Sequence, residues 1–195
     1  MYLENKGWTP TDREWLLTEV RNRMPESVRV IDLRIGSSHI ELDIVTDVRG
    51  AEDIKRYVEK FQRVIDLREI VKSEETRKPE VVMREAAQLF NRERFWEAHE
   101  VLEGLWRRLT GVEKNVVHGL ILLAAAYVHL QKDELEVFRS ILARARNALE
   151  EHDVVEIFGL NVDVLRRRLD KADNSTEIVK LNIADNRDRP VSKTK

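Results

Sequence analysis

Apolar and polar positions divide the chain into two regimes. Before about residue 72 the spacing changes from one short stretch to the next. Trp15, Leu16, Val20 and Met24 recur at helical spacing behind Thr11 and Asp12, and Pro25 ends the run, which predicts a helix of about four turns. Val28–Ile35 then alternates as a half-buried strand does, and Gly36-Ser37-Ser38 is a turn signal. Ile40, Leu42 and Ile44 alternate with Glu41 and Asp43 on the return strand of a hairpin. Ile54, Val58 and Phe61 return to helical spacing, and Val64–Val71 reads as a third strand.

The expected order αββαβ is that of a ferredoxin-like sandwich without its first strand. Val179, Leu181 and Ile183 share one face of an extended stretch, and residues 173–184 are the candidate for a further strand. One hexapeptide occurs twice, Arg29-Val30-Ile31-Asp32-Leu33-Arg34 and Arg63-Val64-Ile65-Asp66-Leu67-Arg68. The flanking residues do not match, so two strands of similar burial explain it better than duplication.

After a charged linker at 73–79 the pattern is helical. Helices are expected at about 79–92, 94–109, 113–131, 134–150 and 161–171, joined by short loops that favour antiparallel neighbours. Two helix pairs align at an offset of 40: Ala86 with Ala126, Phe90 with Leu130, Phe95 with Leu135, Leu102 with Leu142, Leu109 with Leu149. Small residues at one position and large ones at the next suggest tetratricopeptide-like hairpins within a helical bundle. The overall class is α+β, with a small α/β domain over 1–72 and a helical domain over 80–172. Residues 185–195 are polar and read as a disordered tail.

Composition narrows the functional classes. Of 195 residues 36% are charged, and the net charge is -2. The balance is even along the chain, with 13 basic against 14 acidic residues up to position 72 and 21 against 22 beyond it. Neither part has the basic excess of a nucleic-acid binder. There is no cysteine, so disulfides, thiolate metal sites and a cysteine nucleophile are excluded. Residues 1–10 lack a signal-peptide core, and the apolar run 119–128 is too short to span a bilayer, so the cytoplasm is the expected compartment. High charge without cysteine also leans towards a thermophile's protein. The seven glycines are scattered, no phosphate loop appears, and no serine stands in a nucleophile-elbow context.

Candidate chemistry gathers on the second helix of the helical part. Phe95, Ala98, Leu102, Leu105, Trp106 and Leu109 form its apolar stripe, with His99 at the edge and Glu103 one turn further on. A histidine and a carboxylate at i, i+4 can ligate zinc or a similar divalent transition metal, or share a proton. The pair lacks the second histidine of the HExxH pattern. His118 or His129 would have to complete the shell. They stand eleven positions apart, about 16 Å along one helix, so one ion cannot take both together with His99. Glu100 points away from that pair and would act as acid or base only if another helix covered it. The competing reading is a packed histidine bonded to a carboxylate, in a protein that is a scaffold and not an enzyme. Arg166-Arg167-Arg168 reads as a solvated helix end.

The run Phe95-Trp96-Glu97-Ala98-His99-Glu100-Val101-Leu102-Glu103-Gly104-Leu105-Trp106-Arg107 resembles the signature of a bacterial and archaeal family known as domain of unknown function 309. Gly119–Gln131 is similar to that family's next helix. The likeness covers roughly residues 80–150. It implies a label of predicted metal-dependent hydrolase, with His118 standing where the family pattern leads one to expect glutamine. Either function leaves the partner as an unidentified small molecule or protein, with a homo-oligomer as a further expectation.

Overall fold

The computed structural model describes residues 1–46, 51–68, 77–172 and 175–183. The expected end of the third strand at 69–71, most of the linker at 73–79 and the tail at 185–195 lie outside the described residues. The chain forms two compact units, Met1–Glu75 with His129–Glu134, and Thr76–Val128 with Leu135–Lys195.

The first unit runs β1 (Tyr2–Glu4), a 3₁₀ turn (Pro10–Asp12), α1 (Arg13–Arg23), β2 (Val28–Ile35), β3 (His39–Thr46), α2 (Ala51–Val58) and β4 (Val64–Asp66). The strands form one antiparallel sheet in the order β2-β3-β1-β4. This is the βαββαβ arrangement of a ferredoxin-like sandwich, complete. The strand missing from the sequence reading is Tyr2-Leu3-Glu4, too short to show alternation and held by neighbours on both sides. Residues 177–183 do not supply it; they lie in the second unit, where Ile183 makes a single antiparallel bridge with Leu160. Leu3, Leu17, Val20, Val30, Leu33, Ile40, Leu42, Ile54 and Val58 build the core of this unit.

Helix α1 begins after Asp12, one of the two residues expected to cap it, without a side-chain cap bond. Asp12 is its N-cap residue, yet its carboxylate accepts from the Thr9 N–H (2.8 Å) and hydroxyl (2.7 Å), closing the preceding 3₁₀ turn. Those bonds hold the Asp12 carboxyl below the ordinary carboxylate range, the backbone bond contributing most.

The second unit contains α3 (Pro79–Asn91), α4 (Phe95–Trp106), α5 (Gly111–Leu130), α6 (Leu135–Glu150), the hairpin β5 (Glu156–Ile157) and β6 (Leu160–Asn161), and α7 (Val162–Lys171). The α3–α4 turn passes through Glu93 at φ 62°, a left-handed conformation that reverses the chain in few residues. Phe90, Phe95, Tyr127 and Phe138 meet in one aromatic cluster with ring centroids 4.9–5.6 Å apart.

Helix α5 is 20 residues, long enough by length and composition to cross a bilayer, but 56% of its most apolar window is buried, as in the core helix of a domain. Gly119 lets α6 approach it: a Cβ built there would lie 2.9 Å from Leu149 Cγ and 3.3 Å from the Leu149 backbone nitrogen.

Of the residues aligned at offset 40, Ala86 and Ala126, Leu102 and Leu142, and Leu109 and Leu149 are buried in pairs. Phe95 is buried and Leu135 exposed, so the equivalence fails there. The β5–β6 hairpin turns through Phe158 and Gly159, both at positive φ, as a primed two-residue turn requires.

Candidate functional site

His99 sits on α4 where the apolar stripe gives way to polar residues, and its side chain is 20% exposed. Its imidazole stacks on Trp96, three positions earlier, at 5.4 Å and 4° between planes. Residues i and i+3 share a helix face, which brings the ring and the indole together at the edge of the stripe.

The nearest carboxylate is not Glu103. His99 Nδ1 lies 3.5 Å from Glu100 Oε1, within ion-pair range when the ring is protonated, and accepts or donates no hydrogen bond within the described residues. Glu103 is bonded instead to Arg107 at 2.8 Å. The expected His99–Glu103 pair is therefore replaced by His99–Glu100, since a flexible guanidinium one turn on competes for Glu103.

The other two candidate histidines, His118 and His129, have neighbours of their own. His118, exposed on α5, lies beside Trp106 with centroids 6.2 Å apart and 38° between planes, while the Lys114 ammonium lies 4.3 Å over the same indole. His129 belongs to the first unit and pairs through Nδ1 with Glu134. That bond, with help from Lys132, outweighs partial burial and holds the Glu134 carboxyl below its ordinary range. Among the described residues no three His, Asp or Glu side chains converge to hold an ion.

The first unit carries a buried ionic network that the alternation pattern did not signal. After a register shift between Val30 and Asp32, Asp32 stands opposite Asp43, and Arg34 opposite Glu41 is the next pair on the same face. Facing carboxylates repel unless cations intervene. Arg34 lies between them, 2.8 Å from Asp43, 3.0 Å from Glu41 and 3.2 Å from Asp32, with only 2% of its side chain exposed. Arg13 (2.7 Å) and Lys132 (3.3 Å) add to Asp32, and the Tyr2 hydroxyl donates to Glu41.

Burial opposes charge on both Asp32 and Arg34, and the partners prevail. Arg13, with Arg34 and Lys132, holds the Asp32 carboxyl below its usual range, and Glu41 and Asp43 push the Arg34 guanidinium up.

A second constellation, also missed, joins α3, α5 and residues 177–183. The Asn91 amide donates to Leu181 O and accepts from Leu181 N, both at 2.8 Å, reading one residue's backbone as a neighbouring strand would. The Tyr127 hydroxyl donates to Glu177 O at 2.9 Å and accepts from Val179 N at 3.1 Å. Burial pushes the Tyr127 phenol up. Val179 and Leu181 are buried between these anchors, and Lys180 reaches out to Asn91 O at 2.9 Å. Helix α7 contributes Arg168, which bonds Lys180 O and the Asn182 side chain. The arginine run is therefore not a plain solvated end. Arg166 likewise donates to Leu149 O and Val154 O, capping the end of α6.

Residues 83–141, from α3 into α6, match the model of a family described as Domain of unknown function (DUF309). The resemblance read on α4 and α5 is thereby upheld for that stretch. A search of curated proteins finds no match to the chain.

Proposed function

We propose that this chain, similar to DUF309 across α3 to α6, is a non-enzymatic interaction module whose helical unit receives an extended peptide segment, with His99 in a structural role. One observation carries this reading: Asn91 and Tyr127 grip an extended stretch by its backbone, while the next apolar side chains, Val179 and Leu181, are buried. Backbone groups give affinity and alternate side chains give specificity in this mode of recognition. Glu103 and His129 have other partners, Arg107 and Glu134, which also supports a structural role for the His99 region.

The test uses the full chain and a fluorescent peptide with the sequence of residues 176–183. In Val179→Asp/Leu181→Asp the chain's own segment no longer fits, and the peptide is expected to bind at least about tenfold more tightly than to the wild type. Adding Asn91→Ala to that variant should remove the binding. A folded double variant with no saturable binding rejects the proposal. If the double variant does not fold, a Tyr127→Phe variant whose Val179 amide is as protected from hydrogen exchange as in the wild type also rejects it.

A metal-dependent hydrolase is the second reading. Its favouring observation is the buried His99 Nδ1, without a hydrogen bond and 3.5 Å from Glu100. Glu103, His118 and His129 would have to leave their present partners to join it. Plasma mass spectrometry on the purified wild type and His99→Ala separates the two. The interaction module predicts a wild type that stays empty after incubation with Zn²⁺, Mn²⁺ and Ni²⁺. A near-stoichiometric metal lost in His99→Ala would establish the site and overturn the structural role of His99.

A further inference from the structure

The outer face of α1 is polar at Glu14, Thr18, Arg21 and Asn22, and Trp15 interrupts it with 55% of its surface exposed. A large indole left in water forgoes the free energy its burial would release, and one beside a cleft offers an aromatic face that a ligand can cover. Trp15 is also held in place, stacked on Trp8 with centroids 5.2 Å apart and 29° between planes.

The two indoles stand at a cleft of about 140 Å³ inside the first unit, walled by Leu3, Leu33 and Ile40 from the sheet, Leu16 and Val20 from α1, and Phe61. Dry cavities of roughly 150 Å³ take up one benzene ring. The cleft therefore has room for one six-membered ring, with aromatic faces beside it.

Two charges of opposite sign also line the cleft. Glu19 and Arg23 stand one turn apart on α1 and pair with each other at 3.3 Å. Arg23 also lies 5.9 Å from the centroid of Phe61. Both side chains are substantially exposed, and such a pair is worth only about 0–1 kcal/mol, so a ligand can separate it at little cost. A ligand carrying a cation and an anion on one carbon beside an aromatic ring would replace one weak pair with two ion pairs.

We infer that the first unit binds a free aromatic α-amino acid, its ring in the cleft beside Trp8 and Trp15, its ammonium on Glu19 and its carboxylate on Arg23. The site is independent of the helical unit's proposed peptide groove. L-phenylalanine titrated into the full-length ¹⁵N-labelled chain is expected to shift the indole N–H signals of Trp8 and Trp15, leave those of Trp96 and Trp106 in place, and saturate at or below about 1 mM.

3-Phenylpropionate, which lacks the ammonium, and phenethylamine, which lacks the carboxylate, should each bind about tenfold more weakly. Glu19→Gln should weaken phenylalanine about tenfold without affecting 3-phenylpropionate, and Arg23→Gln should do the same with phenethylamine as the unaffected ligand. Both positions are on the helix surface, where substitution leaves folding intact. Absence of saturation by phenylalanine, equal binding of the three compounds, or shifts confined to Trp96 and Trp106 would each overturn the assignment.

Discussion

Asp32 has three cations around it and sits opposite another carboxylate, so its charge state is a stability determinant. Its folded pKa is below the unfolded value of about 3.9. A carboxyl shifted down stabilises the fold at all pH above the unfolded value, and that contribution is lost as pH falls through the folded value. Denaturation midpoints measured from pH 7 to pH 2 should therefore fall below about pH 4, and fall less steeply in Asp32→Asn. At pH 7 the same variant should cost about 2 kcal/mol, because Arg13 and Arg34 lose a charged acceptor. Arg34→Met is the harsher change. It leaves Glu41 and Asp43 without their shared cation, with an expected loss of about 3–5 kcal/mol by urea titration.

At the scale of the element, helix ends and helix contacts are set by single residues with definable costs. Asn161 caps α7, its side-chain oxygen accepting from Val164 N at 2.8 Å. Asn161→Ala is expected to lower stability by about 1 kcal/mol, read as a shift of the thermal midpoint. Gly119→Ala would ordinarily favour a helix. Here the added methyl meets Leu149 at 2.9 Å, so the same measurement should show a loss of about 1–3 kcal/mol. The His99 site follows the same logic. Helical periodicity puts residues i+3 and i+4 within reach, but side-chain competition selects the partner: Trp96 for the ring, Arg107 for Glu103.

At the scale of the molecule, the units do not follow chain order. His129–Glu134, far along the chain, belongs to the first unit, where Gln131 O accepts from Ile35 N at 3.1 Å and Lys132 pairs with Asp32. A fragment of residues 1–75 lacks both contacts. Hydrogen exchange should show weaker protection at the Ile35 amide in that fragment than in the whole chain, and equal protection would refute the role given to the turn.

The fold class, the positions of most elements and the family resemblance of α4 and α5 follow from local sequence alone, because periodicities of 2 and 3.6 register on a few residues at a time. The absence of cysteine and the even charge are likewise properties of the list of residues. Three features were decided only by the tertiary structure. Tyr2-Leu3-Glu4 is a strand because β3 and β4 flank it, and three residues carry no period of their own. Arg34 is buried among carboxylates because the register of β2 on β3 sets Asp43 and Glu41 opposite Asp32 and Arg34. Asn91 and Tyr127 meet Leu181, Glu177 and Val179 across separations of 90, 50 and 52 residues. Local pattern specifies which face of an element is apolar; which side chains from distant elements meet over that face is settled by packing and by competition for charge and hydrogen bonds.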